Sequence, residues 1–297
     1  MKEAFCGKNC AECAWREELQ CAGCQSSSDK KCCEIASCCR EKGHGACHTC
    51  NFQLNCQLLQ TREEIPQRCR QAREEQAVRR QWHAQNAPVL GKWIWLMFWL
   101  IVPSIIGGVM KVNFVVETVP MLKIPGEILK ILCSVFYALF LWKLQDVDSR
   151  YKKAAKWLFV SIPIAAVATF VRTGNGGDLK KDVLLLLVLL PSVALEYYAG
   201  YLEFHSHGDA LAGLDDELSE KWPKLWKWEI GLFLGLFGCI LLLLIGPLLA
   251  LLAFLADAIG LVVVAILRLV YLYRTAKLFR EYTVPDTMTL PEQATTE

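Results

Sequence analysis

The chain changes character near residue 90. Downstream of that point, apolar residues run together over whole helical lengths, broken by short polar segments. A bilayer hydrocarbon core about 30 Å thick needs roughly 20 apolar helical residues to cross it. Segments 93–110, 125–143, 156–172 and 183–203 meet that requirement. The stretch from Trp228 to Tyr273 is too long for one span and fits two, with Ile245-Gly246-Pro247 or Ala256-Asp257 as the break. Six spans are expected, with five as the alternative. Lipid offers no water to backbone groups, so the spans must be helices, and the alternating pattern of an outer-membrane barrel is absent. Upstream, large apolar residues are sparse and cysteines dense. The pattern predicts an all-α polytopic membrane protein with a small, irregular cysteine-rich head. The expected divisions are a head at 1–60, a charged helical connector at 61–90, a transmembrane bundle at 91–281 and a disordered polar tail at 282–297.

Charge fixes the expected orientation, because Lys and Arg near span ends favour the cytoplasmic side. One side carries Arg68, Arg70, Arg73, Arg79, Arg80 and Lys92, then Lys143, Arg150, Lys152, Lys153 and Lys156. Lys221, Lys224, Lys227, Arg274, Lys277 and Arg280 fall on the same side if the spans are six. The other side has Lys111, Lys123, Arg172, Lys180 and Lys181, a ratio of 17 to 5. Both termini are then cytoplasmic, in the plasma (inner) membrane. With five spans the basic tail would flip outside, so it argues for an even number. The start of the chain has no apolar stretch of signal-peptide kind, so the head is expected to stay where it is made. The overall charge of +2 gives no phosphate-seeking field, which argues against nucleic acid as a partner.

Residues 1–56 hold 12 of the 15 cysteines. So small a segment with so few large apolar side chains needs disulfides or metal to fold. A reducing cytoplasm favours metal. Cys10/Cys13, Cys21/Cys24 and Cys47/Cys50 are three C-x-x-C knuckles, the spacing that lets two thiolates chelate one ion. Cys6, Cys32, Cys33, Cys38, Cys39 and Cys56 are further candidate ligands, with His44 and His48 as candidate nitrogen donors. Structural zinc is the expected ion, and an iron–sulfur cluster is the alternative, since tetrahedral sulfur sites suit both.

The same run has a recognisable pattern. FCGKNCAECAW, CAGCQ, CCEIASCCREKGHGACHTC and CQLL together resemble the uncharacterised prokaryotic cysteine-rich family known as domain of unknown function number 3795. The matching positions are Cys6, Gly7, Cys10, Cys13, Cys21, Gly23, Cys24, Cys33, Ile35, Cys38, Lys42, Gly43, Cys47, Cys50 and Cys56. The resemblance covers about residues 4–60 and implies a small zinc-binding module without a defined activity. The membrane half resembles no family we recognise.

Residues 61–86 predict a helix opened by a Thr61/Glu64 capping box and separated from the first span by Pro88. Within the spans, ionisable groups are costly and mark candidate sites. Glu196 and Glu203 are seven apart and share a helix face, and His205 and His207 follow. Glu127, Lys130 and Asp257 are candidate partners, with Lys130–Glu196 foremost. Cys133 and Cys239 read as small packing residues. No P-loop, nucleophile elbow or zinc-protease motif occurs. Binding, sensing or assembly is therefore favoured over catalysis, with the lipid bilayer and a protein docking on the head as expected partners. A transporter using the polar groups of the fourth span is the alternative, and a membrane redox protein with an iron–sulfur head is the third reading.

Overall fold

The computed structural model describes residues 34–44, 47–51, 56–61, 64–112, 117, 119–173 and 179–283. Among the described residues every regular element is helical and there is no strand. The chain divides into two compact units, 1–82 and 83–297.

In the first unit, α1 (Glu34–Glu41) carries Glu34 in its first turn and Arg40 in its last, both favourable to the helix dipole. Ile35, Ala36 and Cys39 form its buried face. Gly43, at φ 68°, ends it. The Gly43 N–H donates to Arg40 O at 3.2 Å and the His44 N–H to Cys39 O at 2.8 Å. That doubled closure is a Schellman cap, and it needs a residue that adopts the left-handed conformation without cost. A 3-10 turn follows at Cys47–Thr49, then the short α2 (Gln57–Gln60). Thr61 does not open a helix as expected. It closes α2, its Oγ1 donating to Gln57 O at 3.0 Å. The capping box is lost because that hydroxyl is committed backward, while Glu64 instead accepts from Arg68 at 2.9 Å.

α3 runs from Ile65 to Val109 without interruption, so Pro88 does not divide connector from span. A proline inside a helix costs roughly 3 kcal/mol. Pro88 is exposed, while Ala87, Leu90, Ile94 and Met97 are buried and carry the packing across it. α3 from His83 onward belongs to the second unit with α4 (Lys123–Lys143), α5 (Ser149–Thr173), α6 (Leu179–Leu211), α7 (Asp216–Leu242) and α8 (Pro247–Arg280). The turns at 144–148, 212–215 and 243–246 are too short for anything but antiparallel hairpins. α5 packs along α4 and α6, and α7 along α6 and α8. Asp215 caps α7 by accepting from the Leu218 N–H at 2.9 Å, with Asp216 and Glu217 in the first turn. Of the two expected breaks in the last apolar stretch, the chain uses the first. α7 ends at Leu242 and α8 opens on Pro247, where its missing N–H costs nothing. Asp257 lies inside α8, buried against Gly235 of α7.

Among the described residues, four helices are long and apolar enough to cross a membrane: Arg70–Val109 within α3, then α4, α7 and α8. Their outward faces are rich in exposed leucine and isoleucine, with Leu244 86% exposed at the α7–α8 turn. The turns at 144–148 and 212–215 share one end of the unit with the start of its α3 segment and the end of α8. We call this the basic end. It holds the largest buried side chains, Trp222, Tyr151, Phe204 and Phe279. His83 Nε2 donates to Ala210 O at 3.0 Å there. Trp222 Nε1 donates to Thr275 Oγ1 at 3.1 Å.

Candidate functional site

The second unit holds a half-open cavity of about 660 Å³ to which all six of its long helices contribute. Its charged lining comprises Lys111 after α3, Glu127 and Lys130 on α4, Glu196 and Glu203 on α6, Glu229 on α7 and Arg268 on α8. These groups fall into three levels. Toward the basic end, Glu203 is 2% exposed and accepts from the Tyr137 hydroxyl in a short hydrogen bond. Arg268 Nη2 reaches Glu203 Oε1 at 3.3 Å and Oε2 at 3.4 Å, and its guanidinium also lies 3.8 Å from Glu229. That cation sits over the Phe204 ring at 4.9 Å. His207 is fully buried, with Nε2 3.6 Å from Glu203 and Nδ1 2.9 Å from the Tyr151 hydroxyl. A buried carboxylate with one cation, a phenol and an imidazole around it satisfies the rule that charge leaves water only when paired.

The middle level follows from register. Tyr137 and Glu203 meet, and Lys130 and Glu196 are each seven residues earlier on α4 and α6. Seven residues are about 10.5 Å of helix. Because α4 and α6 run the same way, Lys130 and Glu196 stand at one height. Lys130 acts electrostatically on Glu196, with the Ser161 hydroxyl beside the carboxylate. The two line the same cavity without a direct ion pair. At the far level, Lys111 Nζ pairs with Glu127 Oε1 at 2.6 Å. Gly126 allows that approach: a Cβ there would stand 3.0 Å from Met110 Cβ and 3.1 Å from Gly107 O.

The sequence-derived candidates divide accordingly. Glu196, Glu203 and His207 belong to this region, and Lys130 is the cation at the height of Glu196. His205 does not belong to it. Its Nδ1 bonds Tyr201 O at 2.8 Å, and its ring packs on Tyr201 at 4.1 Å, because position 205 turns away from the face shared by 196, 203 and 207. Glu127 is taken by Lys111, and Asp257 packs against Gly235, so neither partners Glu196. Tyr137, Tyr151, Trp222, Glu229 and Arg268 are additions. Of these, Arg268 alone carries a plain sequence signal, a lone guanidinium within the apolar run LVVVAILRLVYLY.

In the first unit, Cys39 Sγ and Cys47 Sγ lie 3.5 Å apart, with Cys38 and Cys56 close enough to act electrostatically on both. Sulfurs around a tetrahedral zinc stand roughly 3.8 Å apart, given a Zn–S bond of about 2.3 Å. The pair thus fits two corners of such a site. Burial first, then the mutual hydrogen bond, pushes the Cys47 thiol up to about 12, and burial raises Cys39 as well. Among the described residues no group of three or more His, Cys, Asp or Glu is arranged to hold a metal ion. Cys6, Cys10, Cys13, Cys21, Cys24 and Cys33 lie outside the described residues, as does the His48 side chain. Cys133 and Cys239 are buried singly in α4 and α7.

No family model, curated protein or solved structure matches the chain.

Proposed function

We propose that the chain is a six-span plasma-membrane protein, with both termini cytoplasmic, that binds a small charged solute in its bundle and moves it across the bilayer. The observation that carries this reading is the layered cavity. An ion pair stands at each end, Lys111–Glu127 at one and Arg268 with Glu203 and Glu229 at the other. Two charged groups without an ion pair stand between them. Alternating access needs a central site between two closures that can open in turn. α5 and α6, at 25 and 33 residues, have the length to make the number of spans six. The basic residues crowd one end, which supports a cytoplasmic assignment for it.

The test needs no knowledge of the solute. Ser134 lines the cavity on α4. In intact cells and a Cys133→Ala background, Ser134→Cys should react slowly with a membrane-impermeant thiol reagent applied outside, read by mass on the 123–143 peptide. Adding Glu127→Gln should speed that reaction at least tenfold by opening the outer closure. A cysteine that stays unreactive in both backgrounds means a sealed, structural cavity and overturns the reading.

A second reading concerns the head, and the Cys39–Cys47 pair is the observation that favours it. We propose that the cysteine-rich head holds structural zinc, through thiolates of its C-x-x-C knuckles, and serves as a docking or sensing module. Zinc there would cross-link a segment that lacks a core. Protein purified without oxygen should carry at least one equivalent of zinc. Less than one equivalent of any metal overturns this, and iron with visible charge-transfer absorbance would replace zinc by a cluster.

A further inference from the structure

The chemistry of the middle level narrows the solute. Among the charged groups that line the cavity, Lys111 and Glu127 neutralise each other, and Arg268 answers Glu203 and Glu229. Lys130 and Glu196 remain, at one height, on neighbouring faces, with no ion pair of their own within 4.0 Å. A bound cation would satisfy Glu196 and leave Lys130 alone in a medium of low dielectric. A bound anion would do the reverse. An unpaired charge within a span is disfavoured. A solute that carries both charges completes two ion pairs at once.

The wall beside these two groups is apolar. Gly107 of α3 lies against Gly126 and the Lys130 backbone nitrogen, so Ile105 falls at the Lys130 level and Ile101 about one turn toward the basic end. Ile131 adjoins Lys130 on α4. The surplus negative charge of the cavity sits on Glu203 and Glu229, which share one guanidinium, and Glu229 Oε2 is buried without a partner. An ammonium end therefore points from Glu196 toward the basic end, and a carboxylate or phosphate end points to Lys130.

We infer that the cavity binds a small zwitterion, its anionic end on Lys130, its ammonium on Glu196, and a short aliphatic body against Ile101, Ile105 and Ile131. This rests on the solute-binding reading above. The shared chemistry has two sources, a free amino acid or dipeptide and the headgroup of an ethanolamine lipid.

Full-length protein in nanodiscs of phosphatidylglycerol, which lack ethanolamine lipid, is titrated with leucine, glycylglycine and glycerophosphoethanolamine. Isoamylamine and 4-methylvalerate serve as single-charge counterparts of leucine. At least one zwitterion should bind at one per chain, at least tenfold more tightly than either counterpart. Binding of leucine or glycylglycine identifies a free solute, and binding of glycerophosphoethanolamine alone identifies a lipid headgroup. Lys130→Met and Glu196→Gln should each weaken the zwitterion tenfold or more. The comparison of probes uses the unaltered chain, so it stands even where a variant fails to fold. Equal binding of a single-charge counterpart overturns the inference, and so does binding that survives both substitutions. If no zwitterion binds while Ser134→Cys remains reachable, the inference fails and the solute-binding reading stands. If Ser134→Cys is sealed, both fail.

Discussion

Two levels of the same bundle, about two helical turns apart, treat charge in opposite ways. At the basic end Glu203 and His207 are withdrawn from solvent, Arg268 is one-third exposed, and Tyr137, Tyr151, Phe204 and Trp222 surround them. At the middle level Lys130 and Glu196 face an open cavity, with Ser134, Tyr197 and Gly200 lining it beside them. The difference teaches what each charge is for. A buried charge that is already answered within the chain holds helices together. A charge left open toward a cavity is available to something that is not part of the chain.

The largest expected effect tests the first half of that contrast. Arg268→Met removes the cation from a carboxylate that is 2% exposed. Breaking one side of a buried pair typically costs about 3–5 kcal/mol, because the remaining charge has no partner. Thermal or denaturant unfolding in detergent should show that loss. The Arg268→Met/Glu203→Gln double variant should recover part of it, since only Glu229, 26% exposed, is then left without its cation. A single variant as stable as the parent would mean that the basic-end network is not structural.

Next in size is a pair of glycine substitutions on one helix, α6. At Gly208 a Cβ would stand 2.9 Å from Ser219 O and 3.2 Å from Pro223 Cδ, where α6 meets α7. Ser219 Oγ already donates to Gly208 O at 2.7 Å, so neither backbone is free to retreat. Gly208→Ala should cost about 1–3 kcal/mol by overpacking. At Gly200, two turns nearer the middle level, a Cβ meets nothing within 4 Å. Gly200→Ala should be neutral or stabilise by up to about 1 kcal/mol through helix propensity. If the two substitutions cost the same, the two levels are packed alike and the contrast fails. A smaller effect sits between them: Tyr151→Phe leaves His207 Nδ1 without its hydroxyl partner and should cost about 1–2 kcal/mol.

The helical class and the four apolar helices of membrane length were legible because long apolar runs have few structural solutions. Glu196 and Glu203 were legible for the same reason, as charges where charge is expensive. Their separate fates were not, because depth depends on register between α4 and α6, and periodicity within one helix carries no register between two. Pro88 misled because a proline's local cost was read without the buried Leu90, Ile94 and Met97 that pull the helix through it. Thr61 misled because the same hydroxyl can cap forward or bond backward, and the choice is made by the turn of α2. Arg268 was readable but was passed over among the basic residues that flank α8. Tyr137 and Tyr151 had no signal of their own, since a tyrosine is ordinary until its hydroxyl finds a buried acid, as Tyr137 does at Glu203, or a buried imidazole, as Tyr151 does at His207.

The smallest predicted effect lies just outside the basic-end network, in the turn between α4 and α5. Arg150 Nη2 reaches Asp148 Oδ2 at 2.7 Å and Asp209 Oδ2 at 2.6 Å, tying that turn to the end of α6. Burial would raise the Asp148 carboxyl, but the hydrogen bonds and charge of Arg150 outweigh it and hold Asp148 below the usual carboxylate range. The same bonds, working against burial, raise Arg150 further above its already high value. Arg150 is 33% exposed, so the tie is worth no more than about 1 kcal/mol. A depressed carboxyl contributes stability above its unfolded value, near 3.9, and loses it as pH falls through the folded one. The stability gap between the parent and Asp148→Asn should therefore be constant from about pH 7 to pH 5 and close below about pH 4. A gap that widened toward acid would reverse the sign and place the tie elsewhere. Raised salt should also shrink it, because this pair is open to water. The gap that Arg268→Met opens should shrink less in the same salt series, because Arg268 is as exposed as Arg150 but the Glu203 carboxylate it answers is 2% exposed. That difference in salt response separates a charge at the rim of the bundle from one within it.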